Sequence, residues 1–203
     1  MISNKYCYWH FKKALSHKFC EDIFTYCKDF KLQKGIVGKN KDISTRDLKK
    51  VRNSDVTFLN QMWIYREFHP FIHHANRKAG WNFQWDFTEP VQFTEYKKGQ
   101  FYGWHHDGWD EPYNKPLNSN VHGKVRKLSI IIILSDPKDY KGGELEFDLR
   151  NKTNGKPSLI LCKDEYPKGS IIIFPSYLWH RIKPVTKGVR NSLVAWNIGY
   201  PFK

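Results

Sequence analysis

His105 and Asp107 stand two apart in the segment FYGWHHDGW. On an extended strand, residues two apart project to the same side, so this pair shares a face while His106 between them points away. An imidazole and a carboxylate aimed at one point suit a divalent cation, and one more imidazole completes a two-histidine, one-carboxylate face. His180 is the best source of it, because it ends the run SIIIFPSYLWH and sets a polar ring at the close of a strongly apolar segment. His69, His73 and His74 fall in a helical stretch and His122 in a glycine-bearing loop, where solvent exposure accounts for them. A facial set of this kind leaves three metal positions open, which suits a redox iron holding a bidentate cosubstrate and O2. An anionic cosubstrate calls for a fixed cation. Arg190, ten residues after His180, opens the apolar run RNSLVAWNIG with a planar fork that fits a carboxylate. The competing account of Arg190 is an internal salt bridge, and the sequence names no partner for one.

Elements that would position these groups can be read from periodicity. Residues 16–34 place Phe19, Cys20, Ile23, Phe24 and Cys27 on one helix face, with Ser16 as N-cap and Gly35 as stop. Residues 36–57 are polar and aperiodic, which predicts a surface loop. A second helical pattern runs through Phe58, Met62, Tyr65, Phe68, Ile72 and Ala75 to about Gly80, where Pro70 must restart or kink it. From Trp81 the period becomes two, and strands are predicted at 81–87, 91–97, 101–107, 127–134, 144–148, 157–163, 169–175, 179–183 and 190–198. The fold class is therefore α+β and mainly β: a double-stranded β-helix, or jelly roll, with N-terminal helices packed outside one sheet. We expect a single domain over 1–203, with a helical portion at 1–80 and the jelly-roll core at 81–203.

The chain has 203 residues, enough for one core, and 40% hydrophobic with 16% aromatic residues excludes disorder. No run reaches the roughly 20 apolar residues of a membrane span, and the N-terminus lacks a signal-peptide block. A soluble, cytoplasmic protein without a membrane partner is expected. Cys7, Cys20, Cys27 and Cys162 show no metal-binding spacing and read as reduced, mostly buried thiols. The net charge of +14 is spread over scattered lysines, so it reads as solvated surface; it admits a nucleic-acid partner without favouring one. Oligomeric state is not legible.

Three ordered blocks carry a family resemblance. Tyr96-Lys-Lys-Gly99-Gln-Phe-Tyr102-Gly-Trp-His105-His-Asp107, then LSIIIILSDPKDYKGGELEF, then GSIIIFPSYLWHRIKPVTKGVRNSLVAW, resemble the prolyl 4-hydroxylase-like (PKHD-type hydroxylase) branch of the 2-oxoglutarate and Fe(II) dependent oxygenases. The resemblance implies that His105, Asp107 and His180 bind iron, that Arg190 grips the distal carboxylate of 2-oxoglutarate, and that Tyr96 helps hold this cosubstrate. Trp196, six residues beyond Arg190 and on the same strand face, stands equally as a cosubstrate contact or a core aromatic. Ser129, Ile131, Ile133 and Leu145 stand as pocket lining or core. Implied cofactors are Fe(II), 2-oxoglutarate and O2, with ascorbate admitted. The implied reaction is a dioxygenase hydroxylation of a protein or peptide residue, with proline named by the resemblance alone, releasing succinate and CO2. The long loop 108–126 would cover such a substrate, with Trp109 touching it. Alternatives are a small-molecule oxygenase, a nucleic-acid demethylase, which carries a second arginine where this chain has Trp196, and a non-catalytic cupin-like binding module.

Overall fold

The computed structural model describes residues 6–35, 51–108, 111–153, 156–162 and 166–202. Its elements, in chain order, begin with β1 (Trp9–Phe11), α1 (His17–Cys27), β2 (Gln33–Lys34), β3 (Arg52–Asn53), β4 (Asp55–Leu59) and α2 (Met62–Lys78). There follow β5 (Phe87–Thr88), β6 (Val91–Tyr96), β7 (Phe101–His105), β8 (Val125–Ile133), β9 (Tyr140–Gly142) and β10 (Leu145–Thr153). The chain continues through β11 (Lys156–Leu161), β12 (Ile171–Pro175), β13 (Trp179–Ile182), β14 (Val185–Gly188) and β15 (Arg190–Gly199).

The larger sheet runs β1-β12-β8-β15-β6-β4-β2, with β5 attached to β15, and the smaller runs β11-β10-β13-β7-β3. Every pairing is antiparallel. Strict alternation divides the larger sheet into two buried faces. Leu128, Ile130 and Ile132 of β8, with Leu193 and Ala195 of β15, pack with Phe19 and Ile23 of α1 and Phe68 and Ile72 of α2. Ile131, Ile133, Ile172 and Phe174 turn the other way, onto Leu145, Phe147 and Ile182 of the smaller sheet. A strand buried on both faces is apolar throughout, which is why β8 and β12 read as isoleucine runs. Each such side chain contributes about 1.5–3 kcal/mol through burial. The jelly roll with helices outside one sheet is thus observed.

The N-terminal portion differs from the helical expectation. Among the described residues it contains β1 to β4 as well as α1 and α2, so strands as well as helices come from 1–80. Helix α1 is capped by Ser16, whose Oγ accepts from the Phe19 N–H at 3.0 Å, but it stops at Cys27 because Gln33 and Lys34 pair with Val56 and Asp55 instead. The second helix starts at Met62, not Phe58, since Phe58 and Leu59 pair with Gln92 and Val91. It runs through Pro70, whose ring faces solvent, where water can take up the carbonyl that loses its bond. Residues 36–50 of the expected loop lie outside the described residues, and 51–57 carry β3 and most of β4.

The strand expected at 81–87 is also corrected: only Phe87–Thr88 is a strand. Asn82 has φ +52°, and the side chain of Asn76 on α2 accepts from the Phe83 N–H at 3.0 Å while donating to the Phe83 carbonyl at 2.8 Å. The aromatic alternation there serves packing on the helix, with His73 stacked on Trp85 at 4.7 Å. All four cysteines are free, and burial pushes the Cys27 thiol up to about 11. Among the described residues no helix is long and apolar enough to cross a membrane.

Candidate active site

Strand register brings the three ligand candidates together. His105 ends β7 and pairs directly with His180 on β13, so two imidazoles from distant sequence sit side by side with ring centroids 4.1 Å apart. Asp107 lies just past the end of β7, shorter than the expected strand 101–107, and is held there because its N–H and that of Gly108 both donate to the Ser176 carbonyl. The ligand atoms of His105, Asp107 and His180 all fall within 4.8 Å of one another. Asp107 Oδ1 is 3.8 Å from His105 Nε2, and its Oδ2 is 3.6 Å from His180 Nε2.

The protein fixes which ring nitrogens are offered. Nδ1 of His105 lies 2.8 Å from the Gly103 carbonyl and Nδ1 of His180 lies 2.9 Å from the Leu178 carbonyl. A carbonyl only accepts, so each Nδ1 carries the proton and each Nε2 presents a lone pair to the shared point. Burial, reinforced by the neighbouring His180, pushes His105 down to about 3, which keeps its ring neutral. Burial alone would raise the Asp107 carboxyl; His180, His105 and Arg126 outweigh it and hold the group at about 2. Ser129 Oγ–H donates to Asp107 Oδ2 at 2.8 Å, and Tyr102 stacks on His105 with centroids 3.5 Å apart. Two imidazoles whose Nε2 atoms converge, an ionised carboxylate and anchored second partners form a donor set for a divalent metal.

A cavity of about 240 Å³ opens on this point, lined by the triad together with Tyr96, Ile131 and Trp196. Trp196 Nε1 is buried without a hydrogen-bond partner in the protein, yet lies near enough to Asp107 to favour its ionised form. Arg190 is 2% exposed, pairs with Tyr96 across β6 and β15, and sets its guanidinium 5.7 Å from the Tyr96 ring. Its Nη1 donates to Ser192 Oγ at 3.2 Å. Among the described residues no carboxylate stands within ion-pair distance of it. Arg190 does not line the metal cavity itself. It borders a second one of about 200 Å³, with Ile133, Leu145, Cys162 and Gly143, and the Tyr96 ring that lines the first is 5.7 Å from its guanidinium. A buried indole N–H without an acceptor, and a buried guanidinium with no carboxylate in ion-pair distance among the described residues, fit an anionic chelating cosubstrate.

Several cavity residues escaped the sequence reading. Arg126 was assigned to a loop, yet β8 begins at Val125. Its guanidinium lies 3.9 Å from the Trp196 ring centre, and its Nε donates to Glu89 Oε2. Simple alternation back from Ser129 would turn Arg126 toward the helices; the pairing with β15 skips Lys127, and this irregularity re-aims it. Arg52, Gln92 and Phe58 also line the cavity, from segments read as loop, core strand and helix. His106, expected to face away, rests 5.0 Å from Trp179 and still borders the mouth. Trp109 lies outside the described residues, whereas the later part of its loop is anchored: Tyr113 OH donates to Glu89 Oε1 at 2.7 Å. Of the remaining histidines, His69 bonds Thr88 Oγ1 at 3.0 Å and is half-buried, not solvent-exposed.

Residues 91–197, more than half of the chain, match the 2OG-Fe(II) oxygenase superfamily, and the chain belongs to it. The defining cofactors of that group, Fe(II) and 2-oxoglutarate, are those for which the site has a donor set. A PKHD-type hydroxylase of Synechococcus sp. (strain CC9902) is 39% identical over 102 residues, covering 50% of this chain and 38% of its own. A second, from Shewanella sp. (strain ANA-3), is 33% identical over 108 residues, covering 53% and 42%. The chain thus aligns with less than half the length of these curated relatives. In fold it is similar to the viral collagen prolyl hydroxylase of Paramecium bursaria Chlorella virus-1, with a TM-score of 0.66 at 19% identity over 98% of this chain and 99% of that one. It is likewise similar to a Trichoplax adhaerens prolyl hydroxylase in complex with a hypoxia inducible factor peptide fragment, with a TM-score of 0.64 at 12% identity, covering 96% and 84%. These likenesses establish the double-stranded β-helix.

Proposed function

We propose that this chain is a 2-oxoglutarate-dependent hydroxylase in which His105, Asp107 and His180 hold Fe(II), and that it hydroxylates a protein or peptide residue, with proline the favoured target. The observation that carries the reading is the shared interior of one jelly roll: an anchored triad at one point, and beside Tyr96 a buried Arg190 with no ion-pair partner among the described residues. Bound there, Fe(II) with 2-oxoglutarate and O2 supplies the oxidising chemistry, with succinate and CO2 released. The chain's own residues orient and shield. Arg190 takes the distal carboxylate in a charge-assisted pair, Tyr96 spaces it from the metal, and Trp196 Nε1–H is a donor for the cosubstrate's metal-side oxygens. Tyr102 and Ser129 keep His105 and Asp107 in place, and Trp196 and Ile131 exclude water around the reacting centre.

Support for a polypeptide substrate comes from the mouth. Phe58, 56% exposed, borders the same cavity as Arg52, Gln92 and Arg126, so an apolar surface suited to a side chain adjoins polar groups at one opening. The related proteins named for prolyl hydroxylation point the same way. The test is to load the protein with Fe(II) anaerobically, add 2-oxoglutarate, admit O2, and screen prolyl peptides, free amino acids and oligonucleotides by mass spectrometry. Succinate with one added oxygen on a prolyl peptide is expected. Oxygen transfer to free amino acids or oligonucleotides alone would overturn the peptide assignment, and absence of succinate in every arm would overturn the oxygenase reading.

A further inference from the structure

Arg190 is shaped by a residue with no side chain. The β10 strand is entered through Gly142 and Gly143, at φ +76° and +69°, and Gly143 N–H donates to the Pro184 carbonyl at 3.2 Å. This crosses the Gly142–Gly143 turn directly over the stem of Arg190. A Cβ at position 143 would stand 2.7 Å from Arg190 Cδ and 3.1 Å from Val185 Cγ2. Carbon atoms in van der Waals contact sit about 3.5–4.0 Å apart, so one of them must move. The Arg190 stem has little freedom, being buried, hydrogen-bonded at Nη1 to Ser192 and bounded by the Tyr96 ring.

Two constraints therefore meet at Gly143. Positive φ is the weaker, because Asn and Asp enter the left-handed region at modest cost. The close approach is the stronger, because it excludes every side chain. Gly80 separates the two: its φ is +75°, and nothing lies within 4 Å of a Cβ placed there.

We propose that Gly143 is a positioning residue for Arg190: the bare backbone at 143 lets the arginine stem pass under the turn and present its guanidinium to the cosubstrate's distal carboxylate. This rests on the reading of Arg190 as the carboxylate anchor. Gly143 touches no reacting atom; it acts through the arginine.

The test compares Gly143→Asn with Gly80→Asn, each alone and with Arg190→Ala. Measured on Fe(II)-loaded protein without O2, by the charge-transfer absorption that 2-oxoglutarate induces, G143N should weaken 2-oxoglutarate binding about tenfold or more, as sub-ångström to ångström misplacement of a clamp does. Fe(II) affinity should stay unchanged, and G80N should alter neither. Thermal unfolding supplies a readout independent of the cosubstrate. In the R190A background Cδ is gone and only the 3.1 Å approach to Val185 Cγ2 remains, so G143N should cost clearly less than it does in wild type. Equal effects of G143N and G80N in wild type, or an undiminished cost of G143N beside R190A, would overturn the proposal. If G143N alone does not fold, recovery in G143N/R190A supports it and failure of both overturns it. Coupled melting with unchanged 2-oxoglutarate affinity would leave Gly143 packing on Arg190 and overturn the anchor reading instead.

Discussion

At the metal end of the barrel each group is pinned by a bond within two residues or by one neighbour: His105 by Gly103, His180 by Leu178, Asp107 by Ser129. At the anion end Arg190 bonds locally to Ser192, but its stem is bounded by segments far apart in sequence, the Tyr96 ring on one side and the Gly142–Gly143 turn on another. The triad is therefore held mainly by hydrogen bonds, whereas Arg190 is held mainly by packing. That difference predicts two kinds of failure. Damage at the first should remove metal, and damage at the second should spare metal and loosen cosubstrate.

The largest effect is expected from His180→Ala, which removes one of three ligands: Fe(II) should no longer be retained on gel filtration, and succinate formation should be lost. Retained iron with normal turnover would remove His180 from the triad. Next, Arg190→Ala should raise the 2-oxoglutarate dissociation constant by about 10²-fold, the scale of losing a buried charge-assisted pair, with iron content unchanged in metal analysis. If iron falls equally, the two ends are not separable. Ser129→Ala frees one oxygen of Asp107, and such supporting bonds are worth about 10- to 100-fold in metal affinity, so an effect near the lower limit should appear in competitive chelation. The smallest effect is expected from Arg126→Gln: about a tenfold rise in peptide KM, as for one hydrogen bond to a charged group, with the KM for 2-oxoglutarate unmoved. A shift confined to 2-oxoglutarate would reassign Arg126 to the anion end.

The same contrast governs what could be read in advance. His105 and Asp107 were legible because both sit in one short segment, and His180 because a polar ring closed an apolar strand. Strands β8, β12 and β15 were legible because their isoleucine, leucine and valine content leaves few alternatives. Arg126 was not, because its direction depends on a pairing irregularity at Lys127 that exists only once β15 lies alongside. Arg52 was not, because β3 has two residues and owes its strand conformation to pairing with Phe101 and Tyr102. The aromatic alternation at 81–87 misled for a related reason: Asn76 on a helix satisfies the backbone that a neighbouring strand would otherwise have paired.

By itself, then, the sequence determined the ligand types, the order of the strands and the presence of one cation ten residues after the last histidine, because local spacing and burial preference are written in residue chemistry. Tertiary structure alone decided which nitrogens of His105 and His180 face Asp107, that no carboxylate among the described residues reaches Arg190, that Arg126 turns inward, and that the backbone at Gly143 lies close against the Arg190 stem. The ring nitrogens are set by side-chain rotamers that residue type does not fix, and the others by contact between segments distant in the chain, which has no local signature.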